Sequence, residues 1–138
     1  MLGTGSWGTA YGKVLADAGT EVVLWARREQ LAAAVRDTHE NPDYLPGVRL
    51  PDNLTATGDA LEAVDGADFV VLAVPSQSLR ANLGAVASGL ARDAVLVSLI
   101  KGVELGTTKR MSEVIAEVGD VPFSQVAVVT GPNLAKEI

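Results

Sequence analysis

Short, nearly continuous apolar runs alternate along this chain with segments in which apolar residues recur every three or four positions. The runs are Glu21-Val22-Val23-Leu24-Trp25, Ala67 to Val74, Ala94 to Ile100 and Val126 to Thr130. A run of this length without a polar face fits a parallel strand buried on both sides. Helical spacing fills the intervals: Thr9 to Ala18, closed by Gly19; Arg28 to Thr38, with Leu31 and Val35 on one side; Ser76 to Leu90, a crossover helix; and Thr108 to Val118, with Met111, Val114, Ile115 and Val118 as a stripe. Asp59 is placed to cap a short helix through Val64, ended by Gly66. Pro42, Pro46 and Pro51 exclude regular helix from Glu40 to Asn53, which reads as an extended loop with Thr55-Ala56-Thr57 as a short strand behind it. Strands alternating with helical crossovers predict an α/β fold with a doubly wound, mostly parallel sheet.

Ahead of the first helix stands Gly3-Thr4-Gly5-Ser6-Trp7-Gly8. In a dinucleotide-binding, Rossmann-like fold such glycines make the tight turn, let the backbone approach pyrophosphate and allow close helix packing, with the pyrophosphate on unpaired amides at the helix N-terminus. Turn, helix and apolar strand follow one another here as that motif requires. Only Met1 and Leu2 precede the turn, so the first strand is expected to be truncated. A homodimer contact would be one way of compensating for the loss.

Composition narrows the class of protein. With 138 residues, 48% of them apolar, the chain suits one packed domain, and 4% aromatic residues imply an aliphatic core. There is no apolar run of about 18 residues to span a membrane, and no basic-then-apolar leader. Absence of cysteine removes disulfides and thiolate ligands, which suits a cytoplasmic location, and the lone His39 cannot build a histidine metal site. A formal charge of -6 argues against nucleic acid as a partner. Any phosphate must therefore meet local groups.

In open α/β sheets those groups lie just beyond the carboxyl ends of the strands. After the second strand the positions read Trp25-Ala26-Arg27-Arg28, with no acid for a ribose 2'-hydroxyl and two guanidinium groups suited to a 2'-phosphate. NADP(H) is thus the expected preference, with NAD(H) also accommodated, although two arginines also suit a solvated helix start. Lys101, at the end of a buried strand and before Gly102, either aims its ammonium into the cleft or snorkels to solvent. Gly131-Pro132-Asn133 offers amides to the same region, or is a plain turn. Trp7 and Tyr44 suit either cofactor packing or anchoring of core and loop. Asp68, at the opposite strand end, reads as structural or solvated.

Taken together, Gly3 to Ala10, Leu24 to Arg28, Asn41-Pro42-Asp43-Tyr44-Leu45-Pro46-Gly47, Val74-Pro75-Ser76-Gln77, Lys101-Gly102-Val103-Glu104 and Gly131 to Glu137 resemble the cofactor-binding part of bacterial NAD(P)-dependent glycerol-3-phosphate dehydrogenase. The resemblance implies hydride transfer between nicotinamide and dihydroxyacetone phosphate, giving sn-glycerol 3-phosphate for phospholipid synthesis. It implies cofactor contacts at Ser6, Trp7, Arg27, Arg28, Tyr44 and Ala135, beside Gly3, Gly5 and Gly8 of the turn. Lys101 would face cofactor and substrate, as the catalytic residue within this chain, and Gly131 and Asn133 would hold substrate. Two departures stand out: the first strand is short, and the final turn has Asn133 where serine or threonine is more usual. Members of the family continue into a helical substrate domain that supplies a second lysine, the proposed general acid/base. Since this chain stops at Ile138, the expectation is a cofactor-binding portion, residues 1–138, with little or no turnover alone. The alternatives are the cofactor half of a 2-hydroxy acid or 6-phosphogluconate type dehydrogenase, and a non-catalytic NAD(P)-sensing module.

Overall fold

Met1 and Leu2 occupy the centre of the sheet in the computed structural model, which describes residues 1–131 and 135. Leu2 makes parallel bridges to Trp25 on one side and Leu72 on the other. Its N–H donates to the Val71 carbonyl (2.8 Å), and its carbonyl accepts from the Ala73 N–H (2.9 Å). On the other edge the Met1 carbonyl accepts from Trp25 N–H (2.8 Å), while the Met1 nitrogen donates to the Val23 carbonyl (2.6 Å). Two residues thus supply the hydrogen bonds of a truncated strand. They join a pair formed by β1 (Val22–Trp25) and β4 (Leu54–Thr57) to a trio formed by β5 (Phe69–Leu72), β6 (Val95–Ser98) and β7 (Val126–Val128). Every pairing in this sheet is parallel. Counting Met1-Leu2 as the first strand, the order is 3-2-1-4-5-6, the doubly wound arrangement whose direction reverses beside the first strand.

Strand alternation sends neighbouring residues to opposite faces. Val71 and Val97 enter one core with Met1, Leu24, Leu54 and the apolar sides of α1 (Ser6–Asp17) and α2 (Glu29–Thr38). Leu2, Val70, Leu72 and Leu96 enter the other, covered by α3 (Leu79–Gly84) and α4 (Met111–Gly119). Among the described residues no helix is long and apolar enough to cross a membrane.

Several local expectations are corrected. Residues 40–53 contain an antiparallel hairpin of β2 (Glu40–Asn41) and β3 (Leu45–Arg49), with a register shift between Glu40 and Asn41. Pro46 is exposed on this small hairpin, where its missing N–H does no harm, and Gly47 supplies a positive φ of 75°. The crossover from Ser76 to Leu90 is not one helix: a 3-10 turn at Ser76–Ser78, α3 and a second 3-10 turn at Ala87–Gly89 divide it. Gly84 and Gly89 weaken a continuous helix here. Asp59 does cap, since its carboxylate accepts from Leu61 N–H (2.8 Å), but a 3-10 turn at Glu62–Val64 follows it. Likewise α4 starts three residues later than its apolar stripe suggests, because Thr108 has φ 57° and the Glu113 carboxylate takes the Arg110 N–H (2.8 Å) at the helix start.

Since Leu2 is fully buried between the two halves of the sheet, Leu2→Ala is expected to cost about 2–5 kcal/mol in urea unfolding. Leu105→Ala, at a side chain 77% exposed, should change stability by less than about 0.5 kcal/mol.

Candidate functional site

A cleft of about 800 Å³ opens at the carboxyl ends of the strands, where the sheet reverses its order. Its floor is the glycine turn. Gly3 has φ 120°, and a Cβ there would stand 2.6 Å from the Ala73 carbonyl oxygen, so only glycine fits against β5's end. A Cβ on Gly8 would collide with the Gly3 carbonyl, which keeps the first turn of α1 tight against the loop. Gly5 differs, for nothing lies within 4 Å of the Cβ it lacks. Its open side borders the cleft. Close packing of α1 on the sheet falls instead to Gly12, outside the motif, where a Cβ would meet Leu24 and Met1 at 3.1 Å.

Gly5 is the N-cap of α1, has no side chain to cap with, and no acidic residue stands in the first turn. The amides of Ser6, Trp7 and Gly8 precede the first intrahelical bond, Thr9 N–H to the Gly5 carbonyl (2.9 Å). Such a terminus carries a partial positive charge and exposed donors.

A buried polar cluster holds this floor to the hairpin. The Asn41 side chain, fully buried, donates to the Thr4 carbonyl (3.0 Å) and the Thr9 hydroxyl (2.8 Å). Its Oδ1 accepts from Tyr44 N–H (3.1 Å), placing the exposed Tyr44 ring on the cleft wall. Nothing in the sequence marks Asn41 for this work: it precedes a proline in a polar segment, and only the fold buries it. Trp7 lines the cleft and packs on Tyr11 (5.9 Å between ring centres). Trp25 lines it too, and its indole N–H donates to the Gly58 carbonyl (3.2 Å).

The two arginines after β1 part company. Arg27 lines the cleft, whereas Arg28, the N-cap of α2, ion-pairs with Asp43 at the hairpin tip. Hydrogen bonding to Asp43 and its negative charge raise the Arg28 pKa above its usual value.

Lys101 stands on the facing wall and donates to the Gly131 carbonyl (2.8 Å), so the last strand's turn orients its ammonium. Ala135 is half-buried, and the expectation for Asn133 lies outside the described residues. The loop after Lys101 is held from beneath. Gln77 donates to the Val103 carbonyl (2.9 Å) and accepts from Leu105 N–H (3.0 Å). Arg80 of α3 grips Glu104 with two nitrogens (2.8 and 3.0 Å) and reaches Glu117 of α4 (3.0 Å). Thr107 adds a hydroxyl donor to Glu104 (2.6 Å). Arg80 and Thr107 thereby hold the Glu104 carboxyl at a pKa of about 2.

A doubly wound parallel sheet with a glycine turn at its reversal point defines the Rossmann-like class. Within it, residues 1–138 match the family described as the N-terminus of NAD-dependent glycerol-3-phosphate dehydrogenase, and the chain belongs to that family. A Streptomyces griseus protein named glycerol-3-phosphate dehydrogenase, NAD(P)+, is 64% identical over the whole chain, and its Corynebacterium glutamicum counterpart is 58% identical. The chain spans 41% of the first relative's length and 42% of the second's. The crystal structure of glycerol-3-phosphate dehydrogenase from Coxiella burnetii superimposes with TM-score 0.88 at 32% identity, covering 99% of this chain and 41% of that one. The Saccharomyces cerevisiae enzyme gives TM-score 0.88 at 29% identity, covering 99% and 42%.

Removing the Asn41 amide strands the buried Thr9 hydroxyl and the Thr4 carbonyl, so Asn41→Ala is expected to lower unfolding free energy by about 1–3 kcal/mol in urea titration. The Glu104 pKa is depressed from 4.5 to about 2, so its contribution is complete above pH 4.5 and fades as pH falls toward 2. Glu104→Gln should therefore destabilise most above pH 5 and converge on the wild type near pH 2, measured by thermal unfolding across that range.

Proposed function

We propose that this chain is the cofactor-binding portion of an oxidoreductase that interconverts dihydroxyacetone phosphate and sn-glycerol 3-phosphate by hydride transfer with NAD(P)H, in glycerophospholipid synthesis. The observation that carries this reading is the convergence, on one cleft, of an uncapped helix N-terminus, the open side of Gly5 and the Arg27 guanidinium. Membership of the family supplies the reaction, because relatives of this chain are named for it.

The donor set suits a dinucleotide. Amides of Ser6, Trp7 and Gly8 face a region without side-chain obstruction, as a pyrophosphate needs. Trp7 and Tyr44 offer flat apolar surface at the rim, and Arg27, with Arg28 beside it, meets a 2'-phosphate, so NADP(H) is preferred over NAD(H). When bound, the nicotinamide supplies or takes up the hydride. Lys101 then offers a positive charge, oriented by the Gly131 carbonyl, to the oxygen that gains negative charge or to the substrate phosphate. Gly131 and Asn133 complete the substrate side, and Ala135 lies beside the cofactor. The net charge of -6 makes these local positive groups the attraction for a phosphorylated substrate. A cytoplasmic setting and a homodimer accord with this role.

Titration of the chain with each cofactor, followed by fluorescence of Trp7 and Trp25 on the cleft wall, should saturate and favour NADPH. Arg27→Gln should weaken NADPH about tenfold and NADH far less, the loss of one charge-assisted hydrogen bond. Equal affinity of the wild type for both cofactors would contradict the preference.

A further inference from the structure

Where a carboxylate normally follows the second strand in NAD sites, this chain has none between Trp25 and Arg28. The fold brings one from elsewhere. Asp43, at the tip of the β2–β3 hairpin, ion-pairs with Arg28 beside the cleft wall formed by its neighbour Tyr44. Its position is not left to a mobile loop, because Asn41, two residues earlier, is fully buried and bonded to Thr4 and Thr9 in the glycine turn. The Tyr44 N–H is tied to the same Asn41 side chain. Hairpin tip and phosphate floor therefore move as one unit.

We infer that Asp43 sets the balance between the two cofactors, by occupying Arg28 and by placing a negative charge where a 2'-phosphate must come. This rests on the reading above, that the arginines after β1 receive that phosphate. The physical competition is direct. To accept a 2'-phosphate, Arg28 must release Asp43, and the carboxylate is left near a second anion. An unphosphorylated ribose demands neither change, and the carboxylate remains available to accept from its hydroxyl. Arg27, which lines the cleft, is left as the group committed to phosphate. The Arg28 and Asp43 side chains are 56% and 42% exposed, so their pairing is weak enough for a phosphate to displace. Such an arrangement tempers an arginine-rich site, so that both NADPH and NADH are used.

The test is fluorescence titration of wild type, Asp43→Asn, Asp43→Glu, Arg27→Gln, Arg28→Gln and the Asp43→Asn/Arg28→Gln pair with NADPH and NADH. Asp43→Asn is expected to tighten NADPH about three- to tenfold and leave NADH within about twofold, a gain that shrinks as salt rises. Asp43→Glu, which can rebuild the pair, should keep the wild-type ratio, and the double variant should lose the gain. An unchanged ratio in Asp43→Asn would overturn the proposal, as would equal shifts for both cofactors, which would make Asp43 a structural clasp only. So would a gain that survives in the double variant. If neither Arg27→Gln nor Arg28→Gln alters the ratio, the underlying reading fails. That outcome is distinct from one in which Arg27→Gln weakens NADPH while Asp43→Asn does nothing.

Discussion

Main-chain pairing at Leu2 is the constraint on which the rest of the molecule depends. One residue bonds to both neighbouring strands and inserts a fully buried side chain beneath α3 and α4, so two otherwise separate groups of strands become a single sheet. The cleft exists because of that junction. The chain leaves the sheet centre at Gly3, turns under the end of β5, and enters α1 with its N-terminus aimed across the gap between the two halves. Without the bridge, β1 and β5 would each lose a partner for their buried amides and carbonyls, and the glycine turn would have nothing to be fixed against.

Local charge inside an acidic molecule is organised around that gap. The unopposed helix terminus, Arg27 and Lys101 ring the cleft, whereas other cations are neutralised on neighbouring elements: Arg28 by Asp43, Arg36 by Glu29, Arg80 by Glu104 and Glu117. The distribution concentrates positive potential where a phosphate can use it. It also separates roles between Arg27 and Arg28, adjacent in sequence and different in surroundings. The grip of Arg80 on Glu104 belongs to the same design, because it stiffens the loop that begins at Lys101 without touching the cleft.

Relatives named glycerol-3-phosphate dehydrogenase share this organisation along the full 138 residues, and the solved enzymes superimpose over 99% of the chain at about 30% identity. Such agreement at modest identity fits a core specified by strand order and the glycine turn, with Leu, Val and Ala interchangeable within packing limits.

Much of this was legible in the amino-acid sequence. Uninterrupted apolar runs identify buried parallel strands because no polar face is needed, and Gly3, Gly5 and Gly8 announce a turn whose backbone no other residue could follow at Gly3. Those signals are local, so they survive without knowledge of neighbours. The strand ends carrying Arg27 and Lys101 were readable for the same reason. What only the tertiary structure decided are the long-range partnerships. Leu2 as the central strand, Asn41 buried against Thr4 and Thr9, Arg28 held by Asp43 and Gln77 bracing the Lys101 loop each join residues at least 15 positions apart or from different elements. Their energy comes from burial and from geometry that arises when the strands stack in order, and polar residues such as Asn41 carry no mark in sequence of whether water or protein will satisfy them.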